Sequence, residues 1–465
     1  MLAHLDLGAL LERHLGADRV RSDAEALARY ARDASSIGPF PPEAVVFPSS
    51  AEEISVVLRL AYEHGFPVTP RGAGTGLSGG ALPVCGGVVL STERMQQIKE
   101  IDDVSFTAVV EPGVVTGALQ QALEAQGLFY PPDPASLGTC SIGGNVAHNA
   151  GGPRALKYGV TRDYVLGLDT VLPGGMPLRM GRRTMKGVVG HDVTALFVGS
   201  EGTLGVTTKV TLRVIPAPRA WATHLSIFRT AVDAGRAVTQ ILRSGFRPSA
   251  LELLDGPSIS VLRLHGNHAF PPGAGAILLC EMDEEFEALD RVLSLCSMAC
   301  AQAGAIEQRA TTEATERARL WSARRAVYPL LVATFPRIHV EDVCVPRGRI
   351  PEALRRLDML AAQHRIPTAT IAHAGDGNLH VGLLRGAEPD RDGTEDERLE
   401  RMRADLLRDI LRLGGTIAGE HGIGYAKRHF LGWELSPEMI ALQRKLKMVF
   451  DPKHLLNPGK IFSEA

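Results

Sequence analysis

The chain has 465 residues, 45% of them hydrophobic and 22% charged, enough for two or three domains with ordinary cores. A net charge of −2 gives no basic footprint for nucleic acid, and no apolar run approaches the 18 residues of a membrane span. Six cysteines without a C-x-x-C spacing offer neither a zinc cage nor a disulfide framework, which fits a reducing, cytoplasmic setting.

Residues 1–37 read as a helical, polar-faced segment. Its start, "MLAHLDLGALLERHLG", carries Asp6 and no basic region ahead of it, so it reads as an amphipathic helix and not a signal peptide. Ser50-Ala-Glu-Glu53 predicts a capping box. Ile54, Val57, Leu58 and Ala61 follow at helical spacing, Gly65 stops the helix, and Phe66–Thr69 predicts a short strand.

The loop "PRGAGTGLSGG" contains a literal G-x-G-x-x-G in Gly74 to Gly79. A Rossmann turn needs a helix opening out of it. Here "ALPVCGGVVLST" follows, and Pro83, Gly86 and Gly87 break any helix. The loop therefore reads as a backbone nest for a phosphate, or else as a flexible surface loop. Further on, "SFTAVVEPG" predicts a strand, "VTGALQQALEAQG" a helix stopped at Gly127, and "YVLGLDTVLPGGMPLRMG" a hairpin around Gly174-Gly175. The stretch "PPDPASLGTCSIGGNVAHNAGGPRALKYG" is too polar for core, and with "GSEGTLG" it suits a ligand larger than one phosphate.

After "IPAPRAW" the pattern changes. "ATHLSIF", "AILLCEM" and the hairpin "TATIAHAGDGNLHVGLL" are strands. Residues 230–244, 284–303 and 395–413 are helices, giving an antiparallel sheet with helices on one face. If Asp376-Gly377 is a two-residue turn, His373 pairs with His380 and the two imidazoles share one face. They then form either a metal pair or two half-buried sheet histidines. Glu420 in "GEHGIG" adds a carboxylate, a ligand set used by catalytic zinc and by iron. Otherwise Glu420-His421 is a solvated pair.

"PRGAGTGLSGG", "PPDPAS", "TCSIGGNVAHNAGG" and "GSEGTLGVTTKVTL" resemble the FAD-binding domain of the vanillyl-alcohol oxidase/p-cresol methylhydroxylase flavoproteins. "HAGDGNLH", "GGTIAGEHGIGYAK" and "FDPKHLLNPGKIF" resemble the C-terminal domain of the FAD-linked 2-hydroxyacid dehydrogenases, a group that includes glycolate oxidase FAD subunits and D-lactate dehydrogenases. The resemblance implies an α+β fold. A two-part p-cresol methylhydroxylase-type FAD-binding domain (38–218) precedes an antiparallel-sheet substrate or cap domain (219–413), and a C-terminal segment (414–465) returns to the FAD domain.

It further implies a phosphate loop of Pro70, Arg71, Gly72, Gly74, Thr75, Gly76 and Leu77. Pro131, Asp133, Ser136, Thr139, Gly143, Gly144, Asn145, Asn149 and Gly151 would lie along the cofactor. Glu201, Gly205 and Val206 would lie near its adenine half, with Asn457 in the returning tail. By the same resemblance His373, His380 and Glu420 are metal ligands, with zinc expected and manganese or iron as alternatives. His421 is the base, Asn378 lies beside the metal, and Arg324 grips the substrate carboxylate, with Arg325 as its fallback and a helix-surface charge as the plainer reading of either.

No histidine or cysteine stands where a flavin tether would be expected, so noncovalent FAD is implied. The segment "HVEDVCVP" carries Val340 and Glu341 where some relatives place a lysine, which points away from a second substrate carboxylate and toward the glycolate or D-lactate type. The implied reaction takes a small 2-hydroxy acid to its 2-oxo acid by hydride transfer to flavin N5. No iron–sulfur cysteine spacing exists. The electron acceptor is therefore expected outside the chain: a quinone, a cytochrome, an electron-transfer flavoprotein or an iron–sulfur subunit. The expected setting is cytoplasmic or peripheral at the inner membrane face, and a homodimer is one of the open oligomeric states. A non-redox alkyl transfer on the same fold is the alternative reaction class.

Overall fold

The computed structural model describes residues 5–265, 270–387 and 393–463. The first four residues of the expected N-terminal helix lie outside them. Two compact units are present. One comprises Met1–Gly151, Val160–Ala217 and His421–Ala465, and the other Gly152–Gly159 and Pro218–Glu420.

Among the described residues the first unit holds two larger sheets, besides a two-stranded one that pairs Leu128–Phe129 with Ile215–Pro216. In one, strands Val20–Arg21, Ala44–Val46, Val88–Ser91 and Val68–Arg71 lie in that spatial order, with Val88–Ser91 parallel to both neighbours. The helix Ala51–His64 packs Ile54, Val57, Leu58 and Ala61 into the core beside Val46, Val68 and Val88. Its N-terminus realises half of the expected capping box. Ser50 Oγ accepts from Glu53 N at 3.3 Å, but the Glu53 carboxylate passes over Ser50 to accept from Ser49 N at 2.6 Å and Arg19 Nε at 3.1 Å. A nearby guanidinium outcompetes a lone backbone N–H for a carboxylate. The strand expected at Phe66–Thr69 runs Val68–Arg71 and delivers the chain straight into the glycine loop, after which no helix opens before strand Val88–Ser91.

The other sheet is antiparallel, in the order Ile98–Asp102, Thr107–Val110, Val206–Arg213, Val165–Val171, Pro177–Gly181. Val206–Arg213 alternates buried and half-buried residues, as a strand with one covered face must.

The second unit is built on a seven-stranded sheet in the order Glu307–Thr311, Ala220–Phe228, Ala276–Glu284, Ala250–Asp255, Thr368–His373, Asn378–Leu383, His339–Cys344, antiparallel throughout. Helices Ala231–Arg243 and Phe286–Gln302 pack on the strands around Ala220–Phe228 and Ala276–Glu284. Helices Gly256–His265 and Ala314–Thr334 add a layer on the other face, where Ile259, Leu262, Trp321 and Val327 bury Leu254, Ile277, Leu279 and Ile371. The α+β class expected from the sequence is the one observed, but helices cover both faces of this sheet and not one as expected, because Leu254, Ile277, Leu279 and Ile371 are apolar on the second face too and need a cover. Among the described residues no helix is long and apolar enough to cross a membrane.

Candidate functional site

The hairpin Thr368–Leu383 decides where two histidines meet. Its register pairs Ile371 with His380, Ala372 with Leu379 and His373 with Asn378, so the loop has four residues, Ala374–Gly377. The expected pairing of His373 with His380 is therefore off by two positions. A slip of two keeps every side chain on its face, whereas a slip of one would have parted the imidazoles. His373 and His380 are diagonal neighbours, with ring centroids 5.0 Å apart and ring planes at 87°.

Both rings turn Nε2 toward Glu420, at 3.5 Å for His373 and 3.1 Å for His380. The three ligand atoms all lie within 4.8 Å of one another. Glu420 stands on a loop that Asp342 holds: Asp342 Oδ2 accepts from Gly419 N and Glu420 N, both at 2.9 Å. Asp342 Oδ1 lies 3.6 Å from His380 Nε2. On the far side of His373, its Nδ1 meets Glu252 Oε1 at 2.7 Å. Glu252 is fully buried, and its other oxygen accepts from Arg324 Nε at 2.7 Å. A carboxylate behind a ring nitrogen fixes the tautomer and leaves the opposite nitrogen's lone pair for a metal.

Burial alone would strip charge from all these groups, yet their partners prevail. Burial works against a cationic His373, but Glu252 and Glu420 hold its pKa well above the usual imidazole range. His380 is likewise raised, against burial, by Asp342 and Glu420. Burial would raise Glu420 and Glu252, but His373 lowers both, aided by His380 at Glu420 and by Arg324 at Glu252. Two imidazoles facing one carboxylate are a ligand set of the kind that holds a divalent cation, which would take the place of the ring protons. Asn378 Oδ1, buried beside them and packed on Gly419, has no hydrogen-bond partner. An orphaned acceptor at such a place is what a bound group would satisfy. The residues present thus fit a divalent metal.

The first unit carries the glycine cradle. Gly74 has φ +70°, and a Cβ there would strike the Arg71 guanidinium. Arg71 folds back inside its own loop, giving Nη1 to Arg32 O at 2.8 Å and lying over the Tyr30 ring at 5.2 Å. A Cβ on Gly72 would collide with Ser141 Oγ, which caps the helix Ile142–His148 through Gly144 N. That helix turns His148 toward Gly76 and Gly80. Glu201, in the left-handed region at φ 53°, accepts from Ile423 N and Gly424 N, both at 2.8 Å. Asn457 Nδ2 bridges Gly80 O at 3.0 Å and Glu201 O at 2.7 Å. Three chain-distant segments are thereby locked around one loop that side chains would fill.

A profile described as FAD linked oxidases, C-terminal domain, matches residues 217–461, and an FAD binding domain profile matches residues 42–181. The chain belongs to the FAD-linked oxidase family. It is 40% identical over 435 residues to glycolate oxidase subunit GlcD of Bacillus subtilis (strain 168), covering 94% of this chain and 92% of that one. It is 39% identical over 417 residues to D-lactate dehydrogenase of Archaeoglobus fulgidus, covering 90% of each. In fold it is similar to p-cresol methylhydroxylase with substrate bound, at TM-score 0.79 and 17% identity, covering 98% of this chain and 96% of that one. As an FAD-linked oxidase the protein is an FAD-dependent oxidoreductase.

The expected cofactor residues of this FAD-linked oxidase all fall in the first unit, in differing states. Pro70 is the next-to-last residue of the strand Val68–Arg71, and Thr75, Gly76 and Leu77 are half-buried in the loop that follows. The segment with Pro131 and Asp133 is pinned by Gln120, whose Nε2 donates to Tyr130 O and Pro132 O. Ser136 and Thr139 close a turn through Thr139 Oγ1 to Ser136 O. Gly143 and Gly144 open the helix Ile142–His148. Asn145 spends its amide on Thr116 Oγ1 at 2.7 Å, and Asn149 accepts from Arg162 N at 2.8 Å, so both side chains brace the unit from within. Gly151 and Gly205 are buried, and Val206 is a core residue.

Arg324 is buried and committed to Glu252 through Nε and Nη2, while Arg325 is exposed on the helix surface. His421 directly follows Glu420 and opens the last segment of the first unit. Sequence reading missed Glu252, Asp342 as a support of Glu420, and His148. Asp342 and His148 both stood inside quoted motifs, whereas nothing local marks Glu252, an acidic residue in an apolar strand.

Proposed function

We propose that this FAD-linked oxidase oxidises a small 2-hydroxy acid of the glycolate or D-lactate class to the 2-oxo acid. The observation that carries the reading is the convergence of His373 and His380 on Glu420, all within 4.8 Å, in a chain of this family. FAD, when bound in the glycine cradle of the first unit, supplies the two-electron acceptor for the hydride that leaves the acid's Cα. A divalent metal held by His373, His380 and Glu420, zinc before manganese or iron, would supply a Lewis acid for the hydroxyl oxygen. His421 takes the hydroxyl proton on its imidazole and releases it to solvent. Glu252 keeps His373 in one tautomer. Arg324 holds Glu252 with one edge of its guanidinium and has Nη1 left for the substrate carboxylate. Asn378 offers its amide beside the ligands. Toward a second carboxylate the segment has little to offer, because Val340 is apolar and Glu341 is bound by Arg403 Nε at 2.6 Å.

The test is anaerobic loss of flavin colour with a panel of D- and L-2-hydroxy acids, with and without chelator. Bleaching by glycolate or one lactate enantiomer, abolished by the chelator and restored by zinc, is expected. Flavin that stays oxidised with every acid ends the proposal, and bleaching indifferent to chelator removes the metal from it. A second reading is favoured by the word "subunit" in the name of the Bacillus subtilis relative. In it the chain is the flavin component of an electron-transfer complex and hands electrons to an iron–sulfur subunit, quinone, cytochrome or electron-transfer flavoprotein. Full turnover of the isolated chain with a dye acceptor would argue against that dependence.

A further inference from the structure

The seven-stranded sheet has a second set of metal-ligand side chains on its other face. His224 and Cys280 are directly opposed on strands Ala220–Phe228 and Ala276–Glu284. Cys296 and Cys300 stand one turn apart on the helix Phe286–Gln302 that packs over them. The ligand atoms of His224, Cys296 and Cys300 lie within 4.8 Å of one another, with Cys280 buried opposite His224. Relative exposures of 3% for His224, 1% for Cys280 and 0% for Cys296 and Cys300 leave no path for a substrate.

We propose that His224, Cys296 and Cys300 bind one zinc-class ion at a buried structural site. The argument is geometric. Zinc–sulfur bonds of about 2.3 Å and zinc–nitrogen bonds of about 2.0 Å put tetrahedral ligand atoms roughly 3.3–3.8 Å apart, and three ligand atoms already within 4.8 Å of one another reach that by small side-chain shifts. Cys280, opposite His224, stands outside that group and would complete the fourth position only by a change of rotamer. A strand histidine plus an i, i+4 helical cysteine pair supply the set without a C-x-x-C. The imidazole has a support for its second nitrogen. Ser226 Oγ lies 3.2 Å from His224 Nδ1. Loading is a simple exchange: the ion enters, two thiol protons leave to solvent, and nothing is oxidised or reduced. Neutral His224 and the Cys296 and Cys300 thiolates then balance the double charge. A site so closed takes its ion as the unit folds.

The full chain with its flavin, produced in zinc-replete and in cobalt medium, tests this. The His373, His380 and Glu420 cluster contains no sulfur, so sulfur scattering at about 2.3 Å in the zinc X-ray absorption spectrum reports only on the second site. Sulfur-ligated zinc near one equivalent is expected, with a thiolate-to-cobalt charge-transfer band in the cobalt protein. Both should vanish in the double variant Cys296→Ala, Cys300→Ala, while its flavin content and rate of flavin reduction stay as in the parent. Zinc with only nitrogen and oxygen neighbours, sulfur scattering that survives the double variant, or Cys296 and Cys300 both titrating as free thiols in zinc-replete protein would each overturn the proposal. Should the double variant fail to fold, the parent spectrum and thiol count still decide.

Discussion

The two faces of the second unit's sheet gather histidines in opposite ways. On one, His373 and His380 meet carboxylates: Glu420 between them, and Glu252 and Asp342 behind. Their side chains keep some exposure, 16% for His380 and 19% for Glu420. On the other, His224 meets thiols and a serine in a dry interior, and burial lowers its pKa to about 4. The same residue type is thus a cation-prone group on one side and a neutral one on the other. Adjacent residues of one strand, Leu279 and Cys280, separate the two environments. What decides is the partner and not depth, since His373 is as buried as His224.

The sharpest break between the faces should come at His421. Replacing it with alanine should slow flavin reduction by about 10²–10⁴-fold while flavin stays bound, measured by anaerobic stopped flow. A variant reducing its flavin at the parent rate would remove the assigned base. Next comes Arg324→Met, which leaves Glu252 buried against His373 alone. Breaking such a pair costs about 3–5 kcal/mol, read as a lower denaturation midpoint.

Glu252→Gln keeps the shape but weakens the hold on His373. Metal retention should fall about 10–100-fold in a chelator titration, with any sulfur-bound ion unaffected. The smallest effect is a pH slope at Asp255, three residues along the same strand. It has only neutral donors, Thr370 N at 2.6 Å and Ser258 N at 3.0 Å, and burial pushes its pKa up to about 6. The folded carboxyl therefore binds its proton more tightly than the unfolded one. Its contribution to stability is complete below about pH 4 and is lost as pH rises through about 6, at up to about 1.4 kcal/mol per pH unit. The difference between the parent and Asp255→Asn, measured by urea unfolding at pH 4, 5 and 6, should show that slope. A flat difference would mean that the site is wetter than it looks.

Much of the fold was readable because its signals are local. Ser50 and Gly65 bound their helix where expected, and the breakers Pro83, Gly86 and Gly87 ruled out a Rossmann helix before the structure did. The hairpin register slipped by two because Asp376-Gly377 was read as a minimal turn, and alternation rescued the shared face. What stayed hidden depends on register between distant strands. The sequence gap between Glu252 and His373 carries no pattern, and only the pairing of their two strands sets them side by side. The grouping of His224 with Cys296 and Cys300 was hidden in the same way, since a search for C-x-x-C cannot see a strand histidine under a helical cysteine pair.

One further consequence concerns biosynthesis. Glu201 waits for the N–H groups of Ile423 and Gly424, and Asn457 ties Gly80 to Glu201. Lys447 Nζ spans Thr203 O and Leu456 O, at 2.7 and 2.8 Å, beside Asp451. On the ribosome the cradle's opening strands emerge long before these clasps do. The loop around Gly80 therefore stays unclasped until residues 423–457 have been made.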